Sequence, residues 1–292
     1  MCALQLVADG VIFSCIIILG SIGLSLVYDI ANFPNFAHGD LMAVGAFGAI
    51  TANTVLGLPF VAAAVVGIGV GATVGVATER IVFEPLDVGP LELLIASIGV
   101  ALCYRAVLIG GFGSDPRSYD VGGRGRVEAL HEATGIAASP RSIAIVASTL
   151  VLVLSLHLLL QYTSLGRQMR ATADEPDLAR VSGIRTRTVT TAMWIIGGGL
   201  AAAGGVFLGL DTIVRPQMGF DLLLVLFAAV ILGGIGSVYG AMLGGFAIGM
   251  AHELTPLVPG VGTEYKAAVA FVIMILILLF RPSGIMGGKE SA

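Results

Sequence analysis

His38 and Asp40 are the residues whose types and spacing most invite chemistry. They stand two apart in Asn35-Phe36-Ala37-His38-Gly39-Asp40, at the start of a long apolar run. Burying charge there is expensive, so titratable groups need a reason. Either Asn35 caps a helix whose dipole Asp40 favours from the first turn, or Asn35, His38, Gly39 and Asp40 border a translocation pathway. A second run, Gly233-Gly234-Ile235-Gly236-Ser237-Val238-Tyr239-Gly240, interrupts the apolar stretch from Phe220 to Leu254. Irregular backbone at membrane depth is tolerated only where protein buries it or it lines a cavity. Gly233, Gly234, Gly236, Ser237 and Gly240 are therefore candidates for a pathway, with close helix packing as the alternative.

Other chemistry is excluded residue by residue. The Gly288-Lys289 pair is followed by Glu290, so the phosphate-cradling pattern ending in Gly-Lys-Ser/Thr is missing and ATP hydrolysis by this chain is not expected. His252-Glu253-Leu254-Thr255-Pro256 begins like a zinc-protease helix but lacks the second histidine. Cys2, Cys15 and Cys103 have no metal-ligand spacing and read as small lipid- or core-facing residues. No catalytic residue and no metal site is expected. Net charge of -4 gives no reason to expect a nucleic-acid partner.

The one long hydrophilic block, Thr163–Val189, lies between two apolar segments. Asp174 is expected to cap a short helix that Glu175, Pro176 and Asp177 open and Gly183 ends, about two turns long. Five arginines (Arg167, Arg170, Arg180, Arg185, Arg187) against three acids place the block on the cytoplasmic side.

The elements that position these groups follow from hydropathy. Of 292 residues, 57% are hydrophobic and 12% charged, and mean hydropathy is +0.98. An all-α polytopic membrane protein follows, a single transmembrane unit over 1–292 with room for about eight or nine crossing or broken helices. The N-terminus lacks Lys or Arg before its apolar run and carries Asp9, which argues against a cleavable signal peptide. Spans are expected at about 6–28, 36–56, 59–80, 91–110, 143–162, 189–210 and 267–280, with two short helices in Phe220–Leu254. Gly67, Gly71 and Gly75 on the third span, and Gly197, Ala201, Gly205 and Gly209 on the sixth, form small-residue faces for close packing. Arg105 is expected to anchor the fourth span at the interface, and His157 to be a packed or hydrogen-bonded histidine. Residues 111–141 form an external loop with room for a short helix. Counting crossings from a cytoplasmic 163–188 loop puts the N-terminus outside and the C-terminus inside the cell membrane.

Three separated motifs, in order, resemble the branched-chain amino acid permeases of ATP-binding-cassette importers. Asn35-Phe36-Ala37-His38-Gly39-Asp40 resembles that family's Asn-Phe-Ala-His-Gly-Asp/Glu signature. Gly166, Arg170-Ala171, Ala179 and Gly183-Ile184 resemble its cytoplasmic coupling loop, in which Glu175 also falls. The glycine run resembles its late Leu-Gly-Gly-x-Gly-Ser-x-x-Gly segment. The resemblance implies two ATPase subunits that use ATP, a second and related permease, an external substrate-binding protein, and no cofactor bound by this chain. It leaves open branched-chain amino acids against urea or a short amide. A self-contained secondary transporter would instead need intramembrane ionisable groups, of which the spans offer His38, Asp40, His157 and His252-Glu253 near helix ends. An intramembrane enzyme lacks a nucleophile-base or metal constellation.

Overall fold

The computed structural model describes residues 3–86, 88–122, 125, 137–257, 262–281 and 283–286. Among them the chain is built from helices: α1 (Ala3–Ala31), α2 (Ala37–Thr54), α3 (Phe60–Thr78), α4 (Pro90–Phe112), α5 (Pro140–Tyr162), α6 (Ser164–Asp174), α7 (Pro176–Val181), α8 (Thr186–Asp211), α9 (Met218–Gly233), α10 (Val238–Leu254) and α11 (Lys266–Phe280). The third span runs on past its expected end through a π-helical turn, Glu79–Phe83. Six of the described helical segments are long and apolar enough to cross a membrane, and α2, α9 and α10 are shorter or more polar. The short helix expected within 111–141, and Cys2, lie outside the described residues.

Burial separates inner from outer helices. The most apolar windows of α1 and α8 are 78% and 89% buried, whereas those of α3, α4 and α5 are 22–28% buried and present apolar side chains outward. With lipid as the outer solvent there is little hydrophobic drive between helices, so the inner ones associate through close backbone approach. The small-residue faces do this as expected. Gly67 and Gly71 lie against Gly45, Ala202 and Gly198, Gly197 lies against Gly23 and Val27, and Gly205 sits on the Met42 carbonyl. Helices α1 and α10 add side-chain bonds across their seam: Ser14 Oγ donates to the Phe246 carbonyl and Ser21 Oγ to the Ala241 carbonyl, each at 3.1 Å.

The Phe220–Leu254 stretch is two helices, as the glycine run requires. Gly234 (φ 106°) and Gly236 (φ 78°) make the turn, and Ser237 Oγ accepts from the Gly240 N–H at 3.0 Å to start α10. His157 is hydrogen-bonded, its Nδ1 2.9 Å from the Tyr239 hydroxyl. Cys15 is buried and Cys103 exposed on the outer face of α4.

Contacts sort the connections onto two ends of the bundle. At one end Arg187 pairs with Glu84 at 3.0 Å, and Asp29, Asp174 and Gly236 border one cavity. At the other, Arg117 and Val214 form an isolated antiparallel bridge, and Lys266 pairs with Glu253 at 2.6 Å.

Candidate functional site

Two helices begin inside the bundle rather than at its ends. Asn32 adopts left-handed backbone (φ 59°) just after α1, and the next few residues carry the chain back among the helices. The Phe36 N–H donates to Ser97 Oγ at 3.0 Å, seven residues into α4, so α2 starts about 10 Å inside that helix's end. Helix α9 runs antiparallel to it and starts deep as well. Phe227 packs on Phe36 with ring centroids 5.0 Å apart, and a Cβ on Gly39 would stand 2.6 Å from the Gly219 carbonyl oxygen. Only glycine lets the first turns of α2 and α9 meet this closely.

At that meeting point lies a charge cluster. Asp40, fully buried in the first turn of α2, accepts from Arg105 Nε and Nη2 at 3.0–3.2 Å. The guanidinium lies over the Phe220 ring, 4.4 Å from its centroid, and Arg215 stands 3.6 Å from Asp221 alongside. Arg105 is thus not the interfacial anchor expected from the sequence. A carboxylate buried in α2 must be paired, and the guanidinium turns inward to do it. The inventory of ionisable groups in the apolar helices was also too short: Asp29, Glu79, Arg105 and Asp211 belong to it.

His38 points away from this cluster, its Nε2 3.0 Å from the Gly20 carbonyl oxygen of α1. Its Nδ1 and the Asn35 Nδ2 are buried without a hydrogen-bond partner among the described residues. Asn35 Oδ1 accepts from the Ala37 N–H at 3.0 Å. The Asn35 oxygen thus serves the start of α2 while its amide nitrogen stays open, and Asp40 does more than complement a dipole.

Gly233 and Gly240 meet backbone to backbone where α9 and α10 part, so close packing accounts for them. Gly236 and Ser237, with Asp29, Arg170, Asp174 and Tyr239, border a cavity of about 260 Å³ at the same end of the bundle. The structure does not bring the glycine run together with Asp40.

The hydrophilic block forms a second site. Thr163 Oγ1 accepts from the Gly166 N–H at 3.1 Å and starts α6, which folds back on the end of α5. Gly166 packs on the Leu159 and Leu160 carbonyls, and Arg170 donates to the Leu160 carbonyl. Asp174 is the last residue of α6 rather than a cap. The helix break falls one residue later, at Glu175 (φ -147°, ψ 87°), because Pro176 disfavours helical backbone before it. Helix α7 ends at Gly183 (φ 85°), with the Ile184 N–H bonded to the Ala179 carbonyl at 3.0 Å.

Of the residues that sequence reading selected here, Gly166 and Ala179 are buried, Ala171 and Ile184 half-buried, and Arg170, Glu175 and Gly183 exposed. The buried ones hold the loop's shape. The apolar side chains that the block turns outward are Leu178 and Val181, 64% and 87% exposed. Neither was singled out in the sequence, although two apolar residues three apart on a polar helix were a visible signal.

Comparison with known proteins finds similarity along almost the whole sequence. The sequence model of the family described as branched-chain amino acid transport system / permease component matches residues 6–278. The high-affinity branched-chain amino acid transport system permease protein BraD of Pseudomonas aeruginosa is 34% identical over 98% of this chain and 96% of its own. Its counterpart LivH of Escherichia coli is 33% identical over the same shares. A probable branched-chain amino acid transport permease, LivH of Methanocaldococcus jannaschii, is 31% identical over 97% of this chain and 92% of its own. With a match that long and relatives aligned almost end to end, the chain belongs to the branched-chain amino acid transport permease family.

Proposed function

We propose that this chain is one transmembrane subunit of an ATP-driven importer of branched-chain amino acids. A second, related permease would complete the path, two separate ATPase subunits would consume the ATP, and an external binding protein would deliver substrate. The observation that carries this reading is the exposed Leu178–Val181 pair. It sits on a two-turn helix whose neighbours, α6 and α8, are packed onto the bundle. An apolar pair presented rigidly to water fits a groove on a soluble partner. Displacing α7 would tilt α8, which starts only five residues after it ends.

Charge supports the orientation. Among the described residues Arg80, Arg167, Arg170, Arg180, Arg185, Arg187 and Arg281 gather at the end that carries α7, against Arg117, Arg141, Arg215 and Lys266 at the other, whose 111–141 loop also contains Arg124 and Arg126 in its sequence. The positive-inside rule then makes the α7 end cytoplasmic, the N-terminus external and the C-terminus internal. The substrate path would pass the inward starts of α2 and α9, where Asn35, His38, Gly39 and Asp40 lie, and the Gly233–Gly240 turn would border its cytoplasmic end.

Because Ala179 is buried, a crosslinking probe belongs on Val181 or Ser182. A cysteine there should crosslink to an ATPase in the assembled complex and not in complexes lacking that subunit. If a transport-competent complex never yields the crosslink, this coupling role is wrong.

A further inference from the structure

The charge cluster at the start of α2 and α9 opens sideways, out of the bundle. Arg105 is 19% exposed, Arg215 and Asp221 are 48% and 54% exposed, and Phe220 and Leu224 are 47% and 57% exposed. Arg105 stands seven residues before the end of α4, about 10 Å along the helix axis, which is inside a hydrocarbon layer about 30 Å thick. Charged side chains at that depth do not face lipid tails; they face water or protein. This flank of α4 and α9 is therefore not a lipid surface, unlike the apolar outer faces of α3 and α5.

The residues along the flank are matched to one kind of molecule. Phe220 and Leu224 lie one turn apart on α9 and form an apolar strip, and at one end of it stand two cations and two anions in alternation: Arg105 with Asp40, and Arg215 with Asp221. An α-amino acid with a branched apolar side chain has the complementary form, a carboxylate and an ammonium beside a hydrocarbon group. We propose that this flank receives the zwitterionic head of the transported amino acid. The carboxylate engages the Arg105 guanidinium and the ammonium engages Asp221, while the side chain lies on Phe220 and Leu224. The Asp40–Arg105 bond holds the guanidinium in place and keeps the site neutral when no substrate is present, and the second permease closes the open side. Arg105 and Asp221 are then specificity-determining residues of the path. This rests on the importer reading above.

The test uses the complete importer in proteoliposomes: this chain with its second permease, the ATPases and the binding protein. Leucine uptake and ATP hydrolysis are measured together for wild type, Asp221→Asn, and the double variant Asp40→Leu/Arg105→Leu. The double variant removes both charges at once, so neither is left buried and unpaired. Leucine taken up per ATP hydrolysed should fall at least tenfold in Asp221→Asn and in the double variant, with the double variant still assembling. A double variant that assembles and imports leucine at the wild-type ratio would reduce the pair to a structural role and overturn the proposal. So would an unchanged ratio in Asp221→Asn. In a third arm, Leu224→Cys in a Cys2→Ala/Cys103→Ala background should react with a water-soluble thiol reagent, more slowly when leucine is present. Reaction only with a lipid-soluble reagent would place the flank against lipid and overturn the proposal as well. If wild-type hydrolysis does not respond to loaded binding protein, the importer reading fails first, which is a different result from any of these.

Discussion

Replacing Leu178 and Val181 by serine should uncouple this subunit from its ATPase without unfolding it. The two side chains are 64% and 87% exposed, so most of their apolar area is free to be buried by a partner. Full burial of a Val or Leu side chain is worth about 1.5–3 kcal/mol, and scaling by exposure leaves roughly 3 kcal/mol for the pair. At about 1.4 kcal/mol per factor of ten, the double variant should bind the ATPase about 100-fold more weakly. Its fold should be indifferent, since Ala179, Gly166 and Met169 hold the loop and are untouched. The assay is titration of purified ATPase onto the permease pair in nanodiscs, with thermal unfolding of the permease pair as control. An affinity within threefold of wild type would refute the assignment of this pair as the contact. A fall in melting temperature matching the loss of affinity would show that the pair supports the fold instead.

Three further outcomes follow from the packing. Gly205→Val would drive a side chain into the Met42 carbonyl, so it should abolish monodisperse protein on size exclusion; wild-type yield would contradict the close α2–α8 seam. Thr163→Ala removes the cap of α6 at a cost of about 1 kcal/mol, visible as faster hydrogen exchange over the first turn of α6 and not in α8. Tyr119, outside the membrane helices, is buried with its hydroxyl donating to the Ala46 carbonyl at 3.1 Å, and burial pushes its phenol above the usual 10. The unfolded chain loses that proton first, so this contribution is complete below about pH 10 and is lost as pH rises beyond it; Tyr119→Phe should flatten the alkaline fall in melting temperature.

The sequence carried local information well. Four-residue glycine spacing showed the packing faces of α3 and α8 because helical period maps it onto one side, and the glycine run showed the break between α9 and α10. It carried pairing poorly. Asp40 and Arg105 are 65 residues apart, and nothing local marks them as partners; hydropathy alone puts Arg105 near a helix end and sends it to the interface. The depth at which α2 starts was hidden for the same reason. Asn32 to Phe36 reads as an ordinary loop, and only its contacts with α4 show that it re-enters the bundle. On the hydrophilic block the motif residues were visible and their roles were not: of those selected, Gly166 and Ala179 turn inward to set the shape on which Leu178 and Val181 are displayed.

Close backbone packing gives the two sites a mechanical connection. Helix α8 begins just after α7 and passes Gly198 and Gly205 against α2 and α3 with no intervening layer of large side chains. Flexible side chains between helices absorb displacement by changing rotamer, whereas backbone against backbone has nothing to change. A tilt of α8 therefore has to carry Met42 and the first turn of α2 with it. That turn bears Asp40, whose partner Arg105 stays on α4, a helix in contact with α2 and not, beyond marginal contact, with α8. On the proposed importer reading, movement at α7 would reach the Asp40–Arg105 bond as a relative shift of its two halves, so the contact that holds the guanidinium over Phe220 is also the one that a tilt of α8 would strain.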